Sequence, residues 1–212
     1  MTCKKIELYL PNYIYFVVYC EIQLKIIRRN DILMGKIKLS KNRWLMFFLV
    51  NKGGFEMIGY ENFALAASNS LLKKSFLQNK PITPLKLQKL LFFLHKKYLQ
   101  LTNKPLFEES FEAWQYGPVL PSIYNVFQPY KSNGIDDFYR EGNTTYVVDS
   151  TNDEFYTALE FVWSKYSNFK PFELVNLTHL KGSAWDKSYN NPNGRLLKIS
   201  NENIKNERWS FN

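Results

Sequence analysis

The chain has 212 residues, 45% of them hydrophobic and 17% aromatic, which suits one packed domain with an appendage and excludes general disorder. Its formal net charge of +9 is unevenly placed: residues 1–56 carry ten Lys and Arg against four Asp and Glu, and residues 57–212 carry eighteen against fifteen, a net of +3. Both cysteines, Cys3 and Cys20, lie in the first part, so the remainder has no thiol for a disulfide, a nucleophile or a zinc site.

Taken in chain order, residues 1–56 read as a poorly structured leader. Apolar stretches such as "YIYFVVYC" and "WLMFFLV" hold no sustained period and are broken by "IIRRND" and "KLSKNR". Neither Tyr13–Cys20 nor Trp44–Val50 approaches the roughly 18 apolar residues of a membrane helix. No secretory cleavage pattern follows the start. A cytoplasmic protein without a membrane anchor is therefore expected. The composition leans on residues encoded by A/T-rich codons, and Lys52-Gly53-Gly54 can be encoded by a bacterial ribosome-binding sequence a few nucleotides before Met57. The leader reads as a mis-annotated start with the true start at Met57; the alternative is a real basic, partly membrane-associating extension.

From Met57 onward the expected architecture is mainly α (α+β), a compact helical domain with a small antiparallel β element. Tyr60–Leu77 has apolar residues near helical spacing, among them Leu71, Leu72 and Phe76. Thr83 is placed as an N-cap with Pro84 at the first helical position of "LKLQKLLFFLHKKYLQL", whose Leu87, Leu90, Leu91, Leu94, Tyr98 and Leu101 share one broad face. Strand character follows in "LFEESFEAWQYGP", then a short helix over 122–128. "IDDFYREGNTTYVVD" reads as a hairpin turning at Glu141-Gly142-Asn143. Thr151 and Glu154 form a capping-box pattern opening a helix to about Tyr166. Pro171 begins another, followed by a tight "KGSAW" turn and a final strand-plus-helix segment.

No phosphate loop, dinucleotide glycine pattern, zinc helix or nucleophile elbow is present. Lys86, Lys89, Lys96 and Lys97 read as the solvated face of an amphipathic helix rather than as phosphate contacts. His95 reads as a boundary residue of the same helix. His179 reads as a hydrogen-bonded residue fixing the turn before Trp185; the alternative is a hydrolase using His179 with Asp186, for which no nucleophile can be named. Trp114 and Tyr116, two apart, are either core or an aromatic anchor for a partner.

Three stretches, "KPITPLKLQKLLFFLHKKYL", "KPLFEESFEAWQYGPVLPSIY" and "ELVNLTHLKGSAWDKSY", resemble the signature blocks of the Panacea antitoxin domain family, which includes SocA-like antitoxins and phage-associated, prophage-borne GepA-type proteins. The resemblance covers about residues 58–209, and residues 1–56 have no counterpart in it. The blocks fall on Leu87, Lys89 and Leu90; on Glu112, Trp114, Tyr116, Gly117, Pro118 and Val119; and on Thr178, His179, Gly182, Trp185 and Asp186. The usual block has Pro before the last tryptophan, where this chain has Ala184. The resemblance implies a non-enzymatic antitoxin without cofactors. Such a protein would neutralise a cognate toxin encoded by a neighbouring gene through protein–protein contact, and an adaptor role with a Clp-type protease is implied as well. Partner-binding candidates are then Trp114, Tyr116, Gly117, Pro118, His179, Trp185 and Asp186. The alternative function is a DNA-binding autoregulator of a prophage or toxin–antitoxin operon, although no specific nucleic acid is expected. The first test concerns the leader: a chain beginning at Met57 is expected to melt at the temperature of the full chain, and unfolding on removal of residues 1–56 would refute the mis-annotated start.

Overall fold

The computed structural model describes residues 63–192 and 197–209 in full and, before them, the backbone of five strands. The chain divides into two compact units, Met1–Glu56 and Met57–Asn212. In the first, β1 (Lys4–Leu10) pairs antiparallel with β2 (Tyr13–Tyr19), and β3 (Lys25–Arg29), β4 (Ile32–Leu39) and β5 (Arg43–Leu49) form a second antiparallel sheet in that order. The side chains of this unit, and the residues around the expected start at Met57, lie outside the described residues.

The second unit is mainly α with a small antiparallel β element, as expected. It is organised around α2 (Pro84–Thr102), which is closed at both ends by the anticipated chemistry. Thr83 Oγ1 accepts from Lys86 N at 3.3 Å, Pro84 occupies the first turn, and Asn103 takes the left-handed conformation with its N–H on Leu99 O. The sequence suggested one apolar face, but every residue from Lys86 to Lys96 is buried. The reason is the number of neighbours. α1 (Phe63–Gln78), α3 (Pro121–Phe127), α4 (Asp153–Tyr166), α5 (Pro171–Thr178), α7 (Asn201–Asn206) and strand β7 (Gly117–Val119) all pack on this one helix. Of the predicted face only Leu101, in the last turn, is exposed.

The solvated-face reading of the α2 lysines is therefore wrong for three of the four. Lys86, Lys89 and Lys96 are buried, and each amine is directed onto a main-chain carbonyl. Lys86 Nζ donates to Ser167 O at 2.6 Å and Lys89 Nζ to Pro118 O at 2.9 Å. Lys96 Nζ donates to Arg208 O at 3.0 Å and to Glu207 Oε1 at 2.7 Å, and lies over the Trp209 ring. His95 is likewise interior, not at a boundary. Its ring stacks on Phe107, its Nε2 meets Asn201 Oδ1 at 2.9 Å, and burial pushes it down to about 4.

Around this axis the smaller elements follow local rules. β6 (Glu112–Trp114) and β7 form a hairpin closed by Gln115 and Tyr116, with Trp114 opposite Gly117. The expected C-terminal strand is a single bridge, Lys198 against Glu112, flanked by Ala113 N to Leu197 O and Ile199 N to Phe111 O. The 135–149 hairpin is short: β8 (Arg140–Glu141) and β9 (Thr144–Thr145) turn at Gly142-Asn143, with Gly142 at φ +60°. Buried Asn69 on α1 secures it, donating to Tyr139 O and Tyr146 O and accepting from Tyr139 N. The cap of α4 is Asn152, whose side chain accepts from Phe155 N at 3.0 Å. Thr151 instead turns back onto Asp149 Oδ1, so the proposed capping box is one residue out of register. The tight "KGSAW" turn is confined to its first three residues: α6 (Ala184–Tyr189) takes in the last two, capped by Ser183 Oγ, which accepts from Asp186 N.

Glu207 joins Lys96 to the start of α6, its Oε2 accepting from Ala184 N at 2.6 Å. Both charged side chains are almost wholly buried, so removing one strands the other. Glu207→Gln is expected to lower unfolding free energy by about 3 kcal/mol, read as a shifted urea midpoint at unchanged m-value.

Candidate functional site

The three signature stretches meet at Gly117. This residue has φ +97°, a conformation open to glycine, and its α-carbon faces the end of α5 and the middle of α2. A Cβ added here would stand 2.6 Å from Thr178 Oγ1 and 2.9 Å from both Cε and Nζ of Lys89. Any side chain here would displace Thr178 and the Lys89 amine and strain the backbone, so glycine lets β7 approach α2 and α5 closely. The following carbonyl, Pro118 O, then takes the Lys89 amine. Among the described residues no carboxylate pairs with Lys89, and burial alone pushes its amine down to about 7. Thr178 Oγ1 donates to Val175 O at 2.8 Å, and Thr178 O accepts from Ser183 Oγ at 2.8 Å, joining α5 to α6.

A stack of rings covers this junction. His179, at the C-terminal cap of α5, lies flat on Trp185 at 3.7 Å, and Trp185 lies on Tyr189 at 4.5 Å. Trp185 Nε1 donates to Trp114 O at 2.8 Å, so the indole ties α6 to β6. His179 Nε2 is buried without a hydrogen-bond partner among the described residues. Burial, then the nearby Lys89 charge, hold this imidazole below its ordinary value, against the opposing pull of Asp186. The His179 of the sequence reading was held by hydrogen bonds; here its ring is held by stacking, and its backbone N–H bonds Val175 O.

Asp186 is engaged elsewhere. Its Oδ1 accepts from Asn190 Nδ2 at 2.7 Å and its Oδ2 from Gly182 N at 2.8 Å, and these bonds hold its carboxyl below the usual range. The His179–Asp186 hydrogen bond that a hydrolase would require is not formed.

The candidates thus separate by exposure. Gly117, Pro118 and Trp185 are buried; His179, Asp186 and Trp114 are half-buried. Trp114 packs edge-on against Tyr124 and donates Nε1 to Glu112 Oε2 at 2.7 Å. Tyr116 is not on the strand with Trp114 but at the hairpin tip, 54% exposed, with its ring edge-on to Phe172. Phe172, 63% exposed, was missed by sequence reasoning. It follows Pro171 at the start of α5, two residues and so roughly half a turn from the buried Leu174, and that phase was its available signal.

Fold and site together define a helical domain whose distant sequence blocks converge on one glycine beneath a ring stack. The chain belongs to the SocA-like Panacea-domain antitoxin family: the family model described as "Antitoxin SocA-like, Panacea domain" matches residues 87–186. The chain is also 32% identical over 159 residues to Antitoxin SocA of Caulobacter vibrioides (strain NA1000 / CB15N), a match covering 70% of this chain and 82% of that protein. No solved structure matches. Ala184, where the usual block has Pro, donates the N–H that Glu207 accepts, a bond proline cannot make.

The buried amine has a consequence for pH. Lys89 drops its proton near pH 7 in the folded state but keeps it to about 10.5 when unfolded, so between these values the unfolded chain binds more protons. Stability should therefore rise with pH through this window, by at most about 1.4 kcal/mol per unit from this group. Burial lowers Lys86 and Lys96 in the same direction. Urea titrations at pH 7 and pH 9 are expected to show the rise, and Lys89→Met is expected to flatten it; equal slopes would show the amine stays charged in the fold.

Proposed function

We propose that this chain is the antitoxin of a toxin–antitoxin pair, acting without catalysis by binding a cognate toxin encoded by a neighbouring gene. On this reading the protein works in the cytoplasm, where it either blocks the toxin or presents it to a Clp-type protease. Family membership supports the antitoxin role. The observation that carries direct binding is the exposed ring pair Tyr116–Phe172, mounted on the start of α5 and on the tip of the hairpin that Lys89 ties to α2. Rigid, exposed aromatics supply large contact area at little entropic cost. Among the described residues no group of His, Cys, Asp and Glu is arranged to hold a metal, and no helix is long and apolar enough to cross a membrane. Lys86, Lys89 and Lys96 of α2 are buried beyond reach of a phosphate, so this helix lends the autoregulator reading no support.

Co-expression with the neighbouring gene product is expected to rescue growth that this product arrests alone, and the two proteins should co-purify. Tyr116→Ala with Phe172→Ala should abolish rescue at an unchanged melting temperature. Trp185→Ala, a core truncation, should instead lose about 3–5 kcal/mol of stability. Rescue undiminished by the double substitution would remove these rings from the interface.

A further inference from the structure

A cleft of about 350 Å³ opens between the α5–α6 turn and the C-terminal segment. Its floor is aromatic: Phe93 stacks on Tyr166 at 4.3 Å, with Trp209 beside them. Its rim carries Lys181, Lys187 and Arg208, all exposed. A second cleft of about 490 Å³ shares residues 206–209 with the first and adds Lys165 and Lys205. Trp209 lines both openings, which adjoin along residues 206–209 and are called the groove.

The charge of the rim residues Lys181, Lys187 and Arg208 is not cancelled from within the cleft. Glu207 is the acid in its lining, and both its oxygens are used, Oε1 on Lys96 Nζ and Oε2 on Ala184 N. Asp186 feels the charge of Lys181, but Asn190 and Gly182 occupy its oxygens. No carboxylate among the described residues forms an ion pair with Lys181, Lys187 or Arg208. An aromatic floor under uncompensated cations calls for a ligand with the opposite pattern.

We infer that this groove receives an acidic peptide segment of a protein partner, with carboxylates on the rim cations and an aromatic or large aliphatic side chain over Trp209. The inference rests on the protein-binding reading above and specifies the partner's chemistry. A nucleic acid would also suit cations and rings, but residues 57–212 carry a net of only +3, a weak field for a polyanion. Two short clefts flanking one tryptophan match side chains of an extended peptide better than a phosphate backbone.

The test is selection of random displayed heptapeptides on the full-length protein at physiological salt. The selected set is expected to be enriched in Asp and Glu together with one aromatic or large aliphatic residue. Synthetic copies should change tryptophan emission in the wild type and not in Trp209→Phe. The triple substitution Lys181→Glu, Lys187→Glu, Arg208→Glu should weaken their binding at least tenfold, while Lys73→Glu with Lys131→Glu, at exposed lysines outside the groove, should not. Selection without acidic bias, or binding indifferent to the triple substitution at an unchanged melting temperature, overturns the inference. So does tighter, groove-dependent binding of a random 20-mer single-stranded DNA, which would assign the groove to nucleic acid. If acidic peptides are selected but the wild type rescues no neighbouring toxin, the antitoxin reading fails and the groove stands. Rescue without acidic selection gives the reverse.

Discussion

The fold depends on burying a helix that carries lysines on a side where neighbours also pack. A helix with one packed face can leave its amines in water; α2 is covered by five helices and a strand, and cannot. An unpaired buried amine is costly, so each must find an acceptor whose position is fixed by the same packing. Lys86 finds the carbonyl just beyond α4, Lys89 that of Pro118 in β7, and Lys96 the Glu207–Arg208 segment after α7. The three amines set where three separate parts of the chain may lie along α2. Leu or Met at these sites would bury as much apolar surface without specifying those positions. The amines thus add directional information that the Leu-rich remainder of the helix lacks.

Gly117 belongs to the same constraint. Lys89 can be buried only if β7 comes close enough to offer Pro118 O, and a Cβ on Gly117 would displace the amine and Thr178. Thr178 fills the remaining space, its hydroxyl satisfied within α5 and its carbonyl within α6. Trp185 then closes the junction by bonding Trp114 O and stacking on His179. These residues, far apart in the chain, form a single structural unit: a helix amine, a glycine strand, a helix end and an indole.

Local chemistry was legible in the sequence wherever a short-range signal decides the outcome. Thr83 and Pro84 announced α2, Gly142 announced the β8–β9 turn, and Pro171 announced α5. What could not be read was the number of neighbours around an element. Periodicity shows where apolar residues lie, but not that charged positions between them will also be covered, and so Lys86, Lys89 and Lys96 were placed in water and His95 at the boundary. One-residue competition was equally opaque. Thr151 and Asn152 are both good caps, and Asp149 decided between them by accepting the threonine hydroxyl and N–H. The resemblance named Lys89, Gly117, Thr178 and Trp185 together without showing that they touch.

The residues that mark the family and the residues that can meet a partner are largely different sets. Lys89, Gly117, Pro118, Thr178 and Trp185 are interior, and a partner can sense them only through the shape they impose. Tyr116 is the exposed aromatic of the signature, and Phe172 beside it lies outside the signature positions altogether. The same holds for Lys187, Arg208 and Trp209 around the groove, none of which is among the signature positions. A scaffold built this way can keep its core contacts intact while exposed positions on the hairpin tip, the α5 start and the groove rim are altered. Partner choice is then a property of surface chemistry on a fixed frame, and substitutions that respect the Gly117 junction can retune binding without refolding the domain.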